Sequence, residues 1–123
     1  MKYLEIQDIG AYKIAFSVSN YIWDIVISWK YFERNTVGSQ FVRAIDSISA
    51  NIAEGFGRYN KKEKIHFYRI SFGSLKEAID WTEKSKQRKL LTEDSFNYIM
   101  EELSKLHKEI NFLIRYTNEK LAF

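Results

Sequence analysis

The sequence predicts an all-α protein, an antiparallel four-helix bundle of up-down-up-down topology. Three observations carry that prediction. Proline is absent and glycine occurs only five times in 123 residues, which suits long uninterrupted helices and not strands joined by tight turns. Apolar side chains recur at steps of three and four along most of the chain. Short polar or glycine-bearing breaks separate those segments, and connections this short make neighbouring helices antiparallel. The length suits one domain with one hydrophobic core, so residues 1–123 are read as a single bundle.

The first helix is expected over about residues 8–31, with Asp8 as its N-cap and Ile9, Tyr12, Phe16, Ile22, Ile25, Val26 and Trp29 on its apolar side. The polar run Glu33-Arg34-Asn35-Thr36 breaks it. The second helix, about 37–55, carries Phe41, Ile45, Ile48 and Ile52 on one stripe and is ended by Gly55 and Gly57. Asn60-Lys61-Lys62-Glu63 has the capping-box form and opens a third helix, about 61–87, that presents Ile65, Tyr68, Phe72, Leu75 and Ile79. It should fade in the charged run from Lys84 to Lys89, and Tyr68 needs a partner or water for its hydroxyl. Thr92 caps a fourth helix, about 93–119, with Phe96, Ile99, Leu103, Leu106, Ile110, Leu113 and Thr117 in line.

These stripes leave apolar residues over. Trp23 and Ile27 on the first helix, Trp81 on the third, and Phe112, Ile114 and Tyr116 on the fourth lie off them. A helix that is apolar nearly all round is buried nearly all round, which one four-helix bundle does not provide, so a homo-oligomer is expected. The alternative is that wide stripes and amphipathic rings simply cover a monomer.

Most chemistry is absent from the sequence. Cysteine is missing, which removes disulfides, thiolate metal sites and thiol nucleophiles. The start lacks a basic segment followed by an apolar run, so a cytoplasmic location is expected. Ile14 to Trp29 is interrupted by Ser17, Ser19, Asn20, Asp24 and Ser28, too polar for a membrane span of roughly 20 residues. Glu63-Lys64-Ile65-His66 matches one Glu-x-x-His motif of a di-metal bundle, but His107 has Ser104 three residues earlier, so no metal is expected. Ser71, Ser74 and His66 share part of a helix face without a converging carboxylate, and helix serines ordinarily bond back to a carbonyl. Gly55-Phe56-Gly57 follows a helix and lacks the Gly-Lys-Ser/Thr ending of a phosphate loop. No enzymatic activity and no cofactor are expected.

Charge is the remaining signal. The net charge is +3, yet residues 51–89 hold ten basic and five acidic side chains while the segments before and after are neutral or acidic. Arg58, Lys61, Lys62 and Lys64 surround the start of the third helix, Arg69 and Lys76 continue along it, and Arg43 seconds them from the second. Such a cluster attracts phosphates through Coulomb attraction and counterion release, and Tyr59 is suited to stack on an unpaired base. These seven cations are the candidate nucleic-acid contacts; a solvated turn with helix-surface lysines is the other reading of the same residues.

Residues Arg43-Ala44, the run Ser47-Ile48-Ser49-Ala50-Asn51-Ile52-Ala53-Glu54-Gly55-Phe56-Gly57-Arg58, and Phe67 with Gly73-Ser74-Leu75-Lys76-Glu77 resemble the signature of a bacterial four-helix bundle family first noticed in intervening sequences of 23S ribosomal RNA genes. That family is also similar to the accessory variability determinant of diversity-generating retroelements. The resemblance covers nearly the whole chain in layout. It implies an up-down bundle assembling into a homopentameric ring, a basic surface for RNA or DNA, and, in retroelement members, a reverse transcriptase partner. It implies no catalytic residues. Asn51, Glu54, Gly55, Gly57 and Arg58 occupy its motif at the end of the second helix, and Gly73, Ser74 and Glu77 the motif on the third. Architectural roles follow: Gly73 and Ser74 for close helix approach, Asn51 and Glu54 for bonds to a helix end or to Arg58. The resemblance further implies Phe-Pro after the first helix and Arg-Arg in the second. Here Phe32 precedes Glu33 and Val42 precedes Arg43, which removes one positive charge.

Overall fold

In the structure, a computed structural model that describes residues 4–123, the chain forms four long helices: α1 (Gly10–Val26), α2 (Ser39–Phe56), α3 (Lys61–Gln87) and α4 (Glu93–Lys120). No strand is formed among the described residues. α1 packs on α2 and α4, and α3 packs on the same two, so the helices stand at the corners of a square with α1 and α3 on a diagonal. The interface of α2 with α3 is the most extensive.

The stripes expected on α2 and α4 form the core. Phe41, Ile45, Ile48 and Ile52 are fully buried, and Ile99, Leu103, Leu106, Ile110, Leu113 and Thr117 line the inner side of α4. On α1 and α3 the buried lines differ from the expected ones. α1 turns in Ala11, Ala15, Val18, Ile22 and Val26 and leaves Phe16 in solvent. α3 turns in Tyr68, Ser71, Leu75, Ala78, Thr82 and Ser85, with Ile65, Phe72 and Ile79 at the boundary. Small side chains let helix axes approach closely, and the larger apolar residues then flank the contact. Ser71 Oγ donates to the Ile48 carbonyl across the α2–α3 contact at 2.9 Å, and Thr82 Oγ1 donates to the Ala78 carbonyl at 2.7 Å. The Ser85 hydroxyl is buried with no partner among the described residues.

The first connection also differs. α1 ends at Val26, short of the expected residue 31, and Asp8 does not cap it. Asp8 instead ends a single 3-10 turn, Ile6–Asp8, where its Oδ2 accepts from the Glu5 N–H at 2.9 Å. After Ser28, Trp29 and Lys30 the chain is helical again: one turn at Tyr31–Glu33, a wide π-turn at Arg34–Gly38, and α2 without interruption. The polar run expected as a break is therefore helical. The reversal is fixed by packing. Gly38 faces Val26 so closely that a methyl group there would stand 2.7 Å from Val26 Cγ1, and the Trp29 indole N–H donates to the Leu90 carbonyl at 3.1 Å.

The other two turns match the expected positions. Gly57 caps α2 in an ordinary right-handed conformation, φ −79°, and Gly55 is the penultimate residue of the helix. Asn60 Oδ1 accepts from the Glu63 N–H at 2.9 Å, the Asn60 half of the expected capping box. α3 closes on Lys89, which takes the left-handed conformation usual for glycine, φ 61°. Its N–H donates to the Lys86 carbonyl at 3.0 Å, and the Leu90 N–H donates to the Ser85 carbonyl at 2.8 Å. Thr92 then caps α4 by accepting from the Ser95 N–H at 3.1 Å. Among the described residues no helix is long and apolar enough to cross a membrane.

Candidate nucleic-acid interface

With Tyr68, Ser71, Leu75 and Ala78 turned inward, helical geometry turns Lys62, His66, Arg69, Gly73 and Lys76 outward, and all five are exposed. Lys62, Arg69 and Lys76 stand seven residues apart, about 10.5 Å of rise each at 1.5 Å per residue. Among the described residues none of the three has a carboxylate within ion-pair distance. The Lys76 ammonium lies 5.1 Å from the centroid of the Phe72 ring.

The other four candidate cations are engaged with protein. Lys61 Nζ donates to the carbonyls of Asn118 at 3.1 Å and Leu121 at 3.3 Å, and so caps the end of α4. Its backbone N–H donates to the Phe123 carbonyl at 2.8 Å. Lys64 Nζ donates to the Phe56 carbonyl at 2.7 Å and caps α2; burial pushes its pKa below the usual lysine value. Arg58 pairs with Glu54 one turn earlier at 2.5 Å and covers the Phe67 ring, 4.6 Å from its centroid. Arg43 pairs with Glu77 across the α2–α3 contact and receives further support from Gln40.

The motif residues divide in the same way. Glu77 accepts from Arg43 and from the Trp81 indole N–H at 3.2 Å, and Asn51 donates to the Ser47 carbonyl at 2.8 Å. Gly55 lies close against α3, where a methyl group would stand 2.9 Å from the Lys64 carbonyl oxygen. Gly73, expected at a close helix approach, instead faces open space: a methyl group there would meet nothing within 4 Å. Ser74 beside it is half-buried.

At the α2–α3 turn a depression of about 470 Å³ is lined by Arg58, Asn60, Lys62, Glu63, His66 and Phe67. The His66 ring meets Phe67 edge-on with centroids 5.3 Å apart. Tyr59, in the turn itself, is 78% exposed and packs on Phe123 at 5.4 Å between centroids. The stack of Arg58 on Phe67 and the contact of the C-terminal tail with the turn are not signalled by any sequence spacing. Elsewhere, Phe16 and Trp23 on α1 and Ile27 just past its end are exposed apolar residues, and Phe112 and Tyr116 form an exposed pair on α4. Among the described residues no three His, Asp or Glu side chains converge as a metal ion requires.

The sequence model of the family described as 23S rRNA-intervening sequence protein matches residues 7–112. The fold is similar to the crystal structure of a protein of unknown function from the S23 ribosomal protein family of Bacteroides thetaiotaomicron, with TM-score 0.76 and 18% identity, over 85% of this chain and 98% of that one. No curated protein matches the chain.

Proposed function

The chain belongs to the 23S rRNA-intervening sequence protein family, and we propose that it is a non-enzymatic bundle that binds nucleic acid, structured RNA or DNA, along the outer face of α3. The observation that carries this reading is the row of Lys62, Arg69 and Lys76, three exposed cations at heptad spacing with no carboxylate partner among the described residues. Phosphate contacts require positive charge and little exacting geometry, and a line of cations suits a line of phosphates. Arg43, Arg58, Lys61 and Lys64 flank the row; held by protein partners, they add to the local potential. A low-salt anisotropy titration with hairpin RNA and duplex DNA tests the reading. Binding should be lost when Lys62, Arg69 and Lys76 are all changed to Glu; unchanged binding by that variant, or none by the wild type, would sink it.

The same proposal takes the bundle as one subunit of a cytoplasmic homopentameric ring. Support comes from Phe16 and Trp23 on α1 and Ile27 just past its end, all half-exposed. Light scattering at micromolar concentration should find an assembly several times the 14.7 kDa chain mass, and a 14.7 kDa species would contradict it. A second reading, an accessory subunit that docks a protein such as a reverse transcriptase in the manner of retroelement members, is favoured by the exposed Phe112 and Tyr116 on α4. Co-purification that depends on those two rings and not on the α3 cations would favour it over the first.

A further inference from the structure

We infer that the depression at the α2–α3 turn receives an unpaired nucleobase, so that the ligand is held at a loop, bulge or single-stranded end and not along a continuous duplex. The inference rests on the nucleic-acid reading above and names the element of the ligand that the site selects. Its walls are planar groups. The Arg58 guanidinium lies over Phe67 with its side chain still 42% exposed, and the His66 imidazole stands edge-on to the same ring. Guanidinium planes and aromatic rings are the surfaces on which splayed bases stack.

One polar group among the lining residues suits a base edge in particular. Glu63 is among the lining residues, and its carboxylate opposes the pull of Arg58 and Lys62 on a phosphate there. A carboxylate does accept from the exocyclic amine of cytosine and similar base-edge donors. Phosphates then belong along the outer face of α3, at Lys62, which also lines the depression, and at Arg69 two turns further on. The volume, about 470 Å³, is that of a small-ligand pocket. A base still paired in a duplex cannot enter without being unstacked, which disfavours continuous helices.

Tyr59 supplies a second platform beside the depression. Its ring is the most exposed large apolar side chain among the described residues, and the tail residue Phe123 packs on it. That tail is tied to the turn by the Lys61 N–H bond to Phe123 and the Lys61 ammonium bond to Leu121. The exposed ring therefore rests against a tail segment that is itself bonded to the turn.

The full-length chain, titrated at low salt with a labelled RNA hairpin carrying a cytosine-containing loop and with the blunt duplex of the same stem, tests the inference. The hairpin should bind roughly tenfold more tightly, and Tyr59→Ala should remove most of that preference while leaving duplex binding unchanged. Arg58→Lys, which retains the charge and loses the plane, should act in the same direction. Thermal melts of both variants establish that they fold. A loop of uridines in place of cytosines should bind less tightly than the cytosine loop, and Glu63→Gln should narrow that gap. Equal binding of hairpin and duplex, or a preference untouched by Tyr59→Ala and Arg58→Lys, would overturn the inference and leave nucleic-acid binding standing. No binding of either RNA would remove both.

Discussion

Gly55 of α2 lies against the ring of Tyr68 on α3: a methyl group at residue 55 would stand 2.7 Å from Tyr68 Cε1 and 2.9 Å from the Lys64 carbonyl oxygen. A ring can shift a little, but a helix carbonyl cannot move without its neighbours. Gly55→Ala should therefore destabilise the bundle by about 1–3 kcal/mol in urea unfolding, despite alanine's better helix propensity. Gly73→Ala is the control. With nothing within 4 Å of the added methyl, it should gain up to about 1 kcal/mol from propensity alone.

Tyr68 is 2% exposed, and burial raises the pKa of its phenol from 10.0 to about 12. The folded protein thus holds that proton more tightly than the unfolded chain. This contribution to stability is fully present below about pH 10 and is lost as pH rises toward 12, a fall of roughly 2–3 kcal/mol. Denaturant unfolding of wild type and Tyr68→Phe across that range should show the fall in the former and a reduced one in the latter.

Lys64 and Lys62 are two residues apart and should behave oppositely. Lys64→Met removes the ammonium that caps the Phe56 carbonyl and should lower stability by about 1–2 kcal/mol, with a smaller loss of RNA affinity than Lys62→Met causes. Lys62→Met, on the exposed row, should leave stability within about 0.5 kcal/mol and weaken RNA binding. Paired unfolding and binding titrations check both.

The fold was most legible where large aliphatic side chains mark the core. Ile45, Ile48 and Ile52 on α2 and Ile99 to Leu113 on α4 are buried at the expected positions. It was least legible where helices meet through small residues. Ala11 and Ala15 on α1, and Ser71, Ala78 and Thr82 on α3, carry little hydrophobic signal, so attention falls on Phe16, Phe72 and Ile79 beside them. The first connection is hard to read from the sequence for a related reason. Neither glycine nor proline marks the reversal after Val26, and the polar run that resembles a break remains helical through a wide π-turn.

Of the candidate interface, the sequence reveals which cations exist and not where their head groups go. Lys61 and Lys64 point into helix C-termini because α2 and α4 end beside the start of α3, a juxtaposition that only the folded bundle creates. Lys62, Arg69 and Lys76 stay in solvent because their seven-residue spacing keeps them opposite the buried line. That row was already present in the spacing once the inward face of α3 was known.

The salt dependence of RNA binding tests the central claim most directly. If Lys62, Arg69 and Lys76 each neutralise a phosphate, changing all three to Ala should reduce the magnitude of the slope of log K against log salt by about 2 to 3. The same slope in wild type and triple variant, at equal stability, would contradict it.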